Sequence, residues 1–161
     1  VIHLAAMNSQ DSFNSPEKAL MVNGLNTLNL LDAAEKSKVL KFIYFSTIHV
    51  YGPKLNGYID ETALPYPVGS YSITHRLAED YVLDANFKGN ISTVVFRLSN
   101  AVGSPMSKLS NCWMLIANNL CKQVVVKKVI TLKEIARSTE TISTFKKIKY
   151  IRINLNLHIT Q

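Results

Sequence analysis

The apolar positions of this chain switch repeatedly between the period of a strand and the period of a helix. Residues 1–6 (VIHLAA) are a short apolar run with small residues at its end, as at the close of a buried strand. The polar stretch NSQDSFNSPEK follows, and its Ser15-Pro16 fits an N-cap with proline at the first helical position. Leu20, Leu25, Leu28, Leu31 and Ala34 recur at helical spacing and predict a helix to about Lys36. Residues 39–46 (VLKFIYFS) are a continuous apolar run, the signature of a buried parallel strand. Residues 52–69 hold three glycines and three prolines and read as a loop. A helix over 70–87 is predicted next, with Leu77, Ala78, Tyr81, Val82 and Ala85 as its inner stripe, and 91–98 (ISTVVFRL) is a third strand.

Strands alternating with helices through short loops predict an α/β fold built of βαβ units on a parallel sheet. After a loop at 99–110, an apolar helix is expected from Cys112 to about Cys121 and a strand over 124–132. Beyond Lys133 the pattern weakens to a short helix near 134–146 and the strand-like KYIRINLNLHI.

Composition sharpens this picture at the carboxyl end. With 161 residues, 47% apolar and 18% charged, the chain fits one soluble domain with a real core. No apolar run reaches the ~18 residues of a bilayer span, and the first residues lack the basic and apolar regions of a signal peptide. Cys112 and Cys121 have no CxxC spacing and read as reduced thiols of a cytoplasmic protein, without a disulfide or a metal site. The net charge of +7 lies wholly in residues 112–161, since 1–111 carry nine basic and nine acidic residues. Such a tail gives at most non-specific attraction to phosphate backbones, so no specific nucleic-acid partner is expected. All six glycines and five prolines fall at or before Pro105. Residues 1–130 therefore read as one domain and 131–161 as an atypical basic tail, suited to an unrelated ending of a truncated reading frame.

The candidate chemistry gathers around GSYSITHRLAED at 69–80. Tyr71 and His75 lie four residues apart, on one helix face. A tyrosine can move a proton at a sugar hydroxyl if its pKa is pulled down from about 10, which a positive neighbour does by favouring phenolate. Thr47 closes the strand upstream, and a hydroxyl there can hydrogen-bond the same substrate oxygen as charge develops on it. Ligands of open α/β sheets bind outside the carboxyl ends of the strands, where both would sit.

VIHLAA, FxxSTxxVYG, Tyr-x-x-x-base and VVFRLSNAVG stand in the order in which the NAD-dependent epimerase/dehydratase family carries its motifs. The chain resembles these extended short-chain dehydrogenases over about residues 1–130. The resemblance implies a Rossmann-like three-layer parallel sheet, NAD or NADP as cofactor, a nucleotide sugar as substrate and a homodimer in the complete family, with no membrane partner. It implies catalytic roles for Thr47 and Tyr71, with His75 at the base position. It further implies cofactor contacts from Leu4, Ala5, Ala6, Tyr71, His75 and Ser99, and substrate contacts from Thr47 and Asn100. Asn23 matches an asparagine on the family's preceding helix.

Two features depart from the family pattern. Histidine stands where the family has lysine, and at an ordinary pKa near 6.5 it is mostly neutral at about pH 7. The glycine-rich phosphate loop is not found in the sequence. Two readings follow: part of a sugar epimerase/dehydratase working by hydride transfer with tyrosine acid/base chemistry, or a catalytically silent binding module of the same fold. Elsewhere, His3 is expected as a hydrogen-bonded core histidine, His49 as a loop residue at the pocket mouth, Tyr51 and Gly52 as turn-shaping residues, and Trp113, Met114 and Leu115 as helix core.

Overall fold

A computed structural model describes residues 1–107, 110, 112–113, 115–133 and 150–154. The chain divides into two units, Val1–Ser99 and Asn100–Gln161.

In the first unit, strands β1 (Ile2–His3), β2 (Lys41–Thr47) and β3 (Ser92–Leu98) form a parallel sheet in the order β1-β2-β3. Tyr44 of the central strand lies in register with His3 on one side and Val95 on the other. Helix α1 (Ser9–Asn14) was not anticipated by the sequence pattern, which is polar apart from Phe13. It is started by Asn8, whose side chain accepts a 2.9 Å bond from the Asp11 amide. Helix α2 (Pro16–Ala19) opens on proline as expected, although Ser15 makes no side-chain cap bond.

A π-helical turn at Leu20–Leu25 joins α2 to α3 (Asn26–Lys36). This turn overturns the expected apolar stripe. A π turn holds one residue more than an α turn, so the residues after it stand about 100° from where an unbroken α-helix would put them. The inward face therefore carries Ala19, Asn23, Gly24, Thr27, Leu31 and Ala34, while Leu20 and Leu25 are exposed. Gly24 lets the next helix come close, since a Cβ there would stand 3.0 Å from Leu77 Cδ2.

Helix α4 (Ser70–Phe87) has the expected span. Its stripe holds for Ala78, Val82 and Ala85, but Tyr81 is 39% exposed. Phe42, Tyr44 and Ile91 pack against Leu31 and Ala34 of α3 and against Ala78, Val82 and Ala85 of α4, with Val39 and Val95 at the margin. Both helices thus cover the same sheet face. On the other face Ile43 and Phe45 are half-buried, whereas Ile2, Phe96 and Leu98 are exposed. Helices and sheet of this unit make two of the layers of a Rossmann-like α/β fold.

In the second unit, α5 (Ile116–Lys127) starts and ends later than the sequence predicts. Val124, Val125 and Val126, expected in a strand, continue the helix, since β-branched preference is weak against context. Lys128 ends it in the left-handed conformation (φ 51°), with its amide donating to the Val124 carbonyl. Strand β4 (Val129–Lys133) then pairs antiparallel with β5 (Tyr150–Asn154). The expected helix near 134–146 and the end of KYIRINLNLHI lie outside the described residues. Among the described residues no helix is long and apolar enough to cross a membrane.

The two sheet faces should respond differently to truncation. Phe42→Ala, at a fully buried site, is expected to cost about 3–5 kcal/mol. Phe96→Ala, at a site 46% exposed, should cost less than about half as much. Urea unfolding of both variants measures the difference, and equal costs would contradict a sheet covered on one face.

Candidate active site

Thr47 is the last residue of β2 and is buried. Its hydroxyl accepts a 3.2 Å bond from the His49 amide and so caps the 3-10 turn at Ile48–Tyr51. Gly52 follows at φ 82°, and a Cβ there would stand 2.3 Å from the Tyr66 carbonyl oxygen. The Tyr66 amide donates to the Val50 carbonyl at 3.0 Å, so the loop returns against the turn it left. Gly69 at φ 85° then admits α4, whose first turn carries Tyr71.

Tyr71 and His75 meet one turn apart, with ring centroids separated by 4.3 Å and planes tilted by 49°. His75 also lies 6.4 Å from the Tyr44 ring, Tyr44 lies 5.6 Å from His3, and His49 meets the edge of Tyr71 at 6.0 Å. The order His3, Tyr44, His75, Tyr71, His49 is a column of alternating imidazole and phenol rings from β1 to the turn after β2. Sequence reading had His3 as a core histidine, and it is buried, with Nε2 2.9 Å from Thr27 Oγ1. Thr27 donates its own proton to the Asn23 carbonyl, so His3 is the donor of that pair.

Asn23 ties the helices to the loop after β1. Its Oδ1 accepts from the Met7 amide at 2.7 Å, and its Nδ2 donates to Thr74 Oγ1 at 3.0 Å. Thr74 donates back to the Ser70 carbonyl, and His75 Nδ1 lies 2.8 Å from the Tyr71 carbonyl. A carbonyl only accepts, so Nδ1 carries the imidazole proton and neutral His75 presents Nε2 as an acceptor. Lysine in that place would instead donate.

Burial dominates the electrostatics. It raises the Tyr71 pKa above its ordinary value, while the Thr47 hydroxyl works in the opposite direction by favouring phenolate. Burial lowers the His75 pKa, against the Tyr71 carbonyl and Glu79, which raise it. Burial also lowers that of His3 and raises that of Tyr44. His75 is therefore neutral at about pH 7, and Tyr71 keeps its proton. The arrangement is better prepared to deliver a proton than to take one.

Tyr71 and His75 stand together on α4, and His49 of the turn that Thr47 caps meets Tyr71 from the other side. Leu4, Ala5 and Ala6 are exposed just beyond the carboxyl end of β1, and Ser99 lies just beyond that of β3. Asn100 opens the second unit and is not placed with the others. Sequence reading missed Tyr44, Glu79 and Arg97. The last two carried a visible signal, because Glu79 repeats the His75 face one turn later and Arg97 is a charge inside an apolar strand.

A family profile described as NAD dependent epimerase/dehydratase matches residues 1–135. The chain belongs to the NAD-dependent epimerase/dehydratase family. A UDP-glucose 4-epimerase of Rhizobium leguminosarum bv. trifolii is 30% identical over 105 residues, covering 65% of this chain and 32% of the relative. A human dTDP-D-glucose 4,6-dehydratase is 35% identical over 104 residues, covering 64% of this chain and 30% of its own length. The chain thus spans about a third of these curated relatives. Among solved structures, that of RMD from Pseudomonas aeruginosa complexed with NADPH superposes with a TM-score of 0.56 at 31% identity, over 60% of this chain and 35% of that one.

The buried imidazoles give a signed pH dependence. From about pH 6.5 downward the unfolded chain binds protons at His3 and His75 that the folded chain, with its lowered pKa values, does not. Stability should therefore fall with falling pH, by at most about 1.4 kcal/mol per pH unit for each imidazole. Melting followed by circular dichroism between about pH 5 and pH 7.5 should show the decline, with a shallower slope in His75→Phe. A flat profile would mean that both rings protonate freely in the folded state.

Proposed function

We propose that this chain is part of an NAD(P)-dependent enzyme acting on a nucleotide sugar, with Tyr71 as proton donor and acceptor. The observation that carries the reading is that Tyr71 opens α4 with its ring 6.0 Å from that of His49, in the very turn that Thr47 caps at the carboxyl end of β2.

The residues present fit a nicotinamide nucleotide. Ala5 and Ala6 are small and exposed beyond β1, leaving room for a flat ring against the backbone. Ser46 Oγ is buried next to Thr47 with no hydrogen-bond partner, and so has bonding capacity for a bound group. Leu4, Ala5, Ala6 and Ser99 would flank the cofactor, and His75 Nε2 would accept from a ribose hydroxyl. When bound, NAD or NADP supplies the hydride acceptor or donor. Tyr71 then holds or moves the proton at the sugar hydroxyl oxygen, and Thr47 hydrogen-bonds that oxygen as its charge changes. Asn100 is assigned to the substrate side by resemblance alone.

The second reading, a silent binding module, is favoured by one observation. A neutral, buried His75 provides no positive charge to draw Tyr71 toward phenolate. Titration with NADH and NADPH, followed by nicotinamide fluorescence and then by turnover of UDP-glucose, separates the two. Saturable binding with turnover is expected. Tyr71→Phe should leave binding within about threefold and lower turnover by roughly 10²–10⁴-fold. Binding without turnover supports the silent module, and no binding overturns the assigned cofactor site.

A further inference from the structure

Glu79 is a carboxylate with no exposed surface, two turns beyond Tyr71 on the same helix. Leaving a charge there unpaired would be costly, and two guanidinium groups meet it. Arg97 Nη2 lies 2.7 Å from Glu79 Oε2, and Arg97 Nε lies 3.1 and 3.2 Å from the two carboxylate oxygens. Arg76 Nη1 adds a 3.2 Å contact from within the helix and reaches on to Asp80. Arg97 then has one nitrogen left over. Its Nη1 donates to Tyr51 Oη at 2.8 Å, and its guanidinium carbon lies 4.7 Å from the Tyr51 ring centre. Tyr51 Oη in turn donates to the Asp60 carbonyl at 2.9 Å.

Tyr51 ends the 3-10 turn that Thr47 caps, and Asp60 belongs to the loop leading to Tyr71. Arg97 stands in register with Ser46, the residue before Thr47. We propose that Arg97, oriented by Glu79, is a positioning residue that acts through Tyr51 to hold the Thr47 turn against the Tyr71 helix. The planar fork suits the task, since it bonds the carboxylate with one edge and the phenol with another, which an ammonium cannot match. This inference rests on the proposed Thr47–Tyr71 pair. It adds a cause for that pair's geometry which lies outside the reacting groups.

The test reads the Tyr71 hydroxyl directly, using the full chain with carbon-13 at tyrosine Cζ and Tyr71→Phe for assignment. The Cζ shift at about pH 7 reports the hydrogen bonding of the hydroxyl, and its alkaline titration reports the same environment. Thr47→Val should move the Tyr71 signal and shift its titration upward. Tyr51→Phe, which removes one hydroxyl and leaves Glu79 with both its guanidinium partners, should move them the same way. Arg97→Met should do so too, and Thr47→Val combined with Tyr51→Phe should give no more than Thr47→Val alone. Circular dichroism confirms folding of each variant, and Tyr51→Phe carries the test if Arg97→Met does not fold. An unmoved Tyr71 signal in Tyr51→Phe, or additive shifts in the double variant, would overturn the positioning role while leaving the pair intact. An unmoved signal in Thr47→Val would overturn the pair itself.

Discussion

The placement of β2 between two parallel neighbours is the constraint from which the site follows. Phe42, Tyr44 and Ser46 point to one face, and the first two are packed under α3 and α4. Side chains alternate strictly along a strand, so a slip of one residue would exchange this face for Ile43 and Phe45. The register therefore fixes where the strand ends. Thr47 arrives at the carboxyl edge, level with Leu98 of β3, at the place where the chain must turn. The packing of two aromatic rings thus determines the position of the Thr47 hydroxyl, which lies about 10 Å of chain from Tyr44 and about 17 Å from Phe42 at roughly 3.3 Å per residue.

The same burial that secures the core limits the chemistry beside it. His75 is held by a stack of rings and by its own helix, and that environment disfavours charge. A long ammonium side chain could keep its charge by reaching toward solvent, whereas an imidazole on this short stem cannot. Glu79, one turn further, is committed to Arg97 and Arg76. These ion pairs thus lie beyond the column of imidazole and phenol rings around Tyr71.

Much of this was legible in the sequence. The order of strands and helices came from periodicity, and the span of α4 was read to the residue because Gly69 marks its start and Gly89 follows its end. Thr47, Tyr71 and His75 could be grouped because their spacing and the flanking motifs are local features. Other parts were hidden. A π turn has no composition of its own, so the faces of Leu20 and Leu25 were misjudged. The valines at 124–126 favour a strand only when a sheet is there to receive them. The partners of Arg97 depend on a contact between β3 and a turn 46 residues earlier, which no spacing rule reaches.

The π turn at Leu20–Leu25 also makes the length of this helix matter in whole codons. Loss of a single residue within it would return the segment to an ordinary α-helix, which keeps its hydrogen bonds and its capacity to fold locally. The wide turn absorbs its extra residue, so the helices on either side would keep their relative faces, but there would no longer be room for Asn23 and Gly24 to face inward together. Asn23 would then not keep its bonds to Met7 and Thr74 with Gly24 still at the crossing beside Leu77. Substitutions at the exposed Leu20 or Leu25 leave that arrangement untouched. In this stretch the chain is far more sensitive to how many residues it has than to which ones face the solvent.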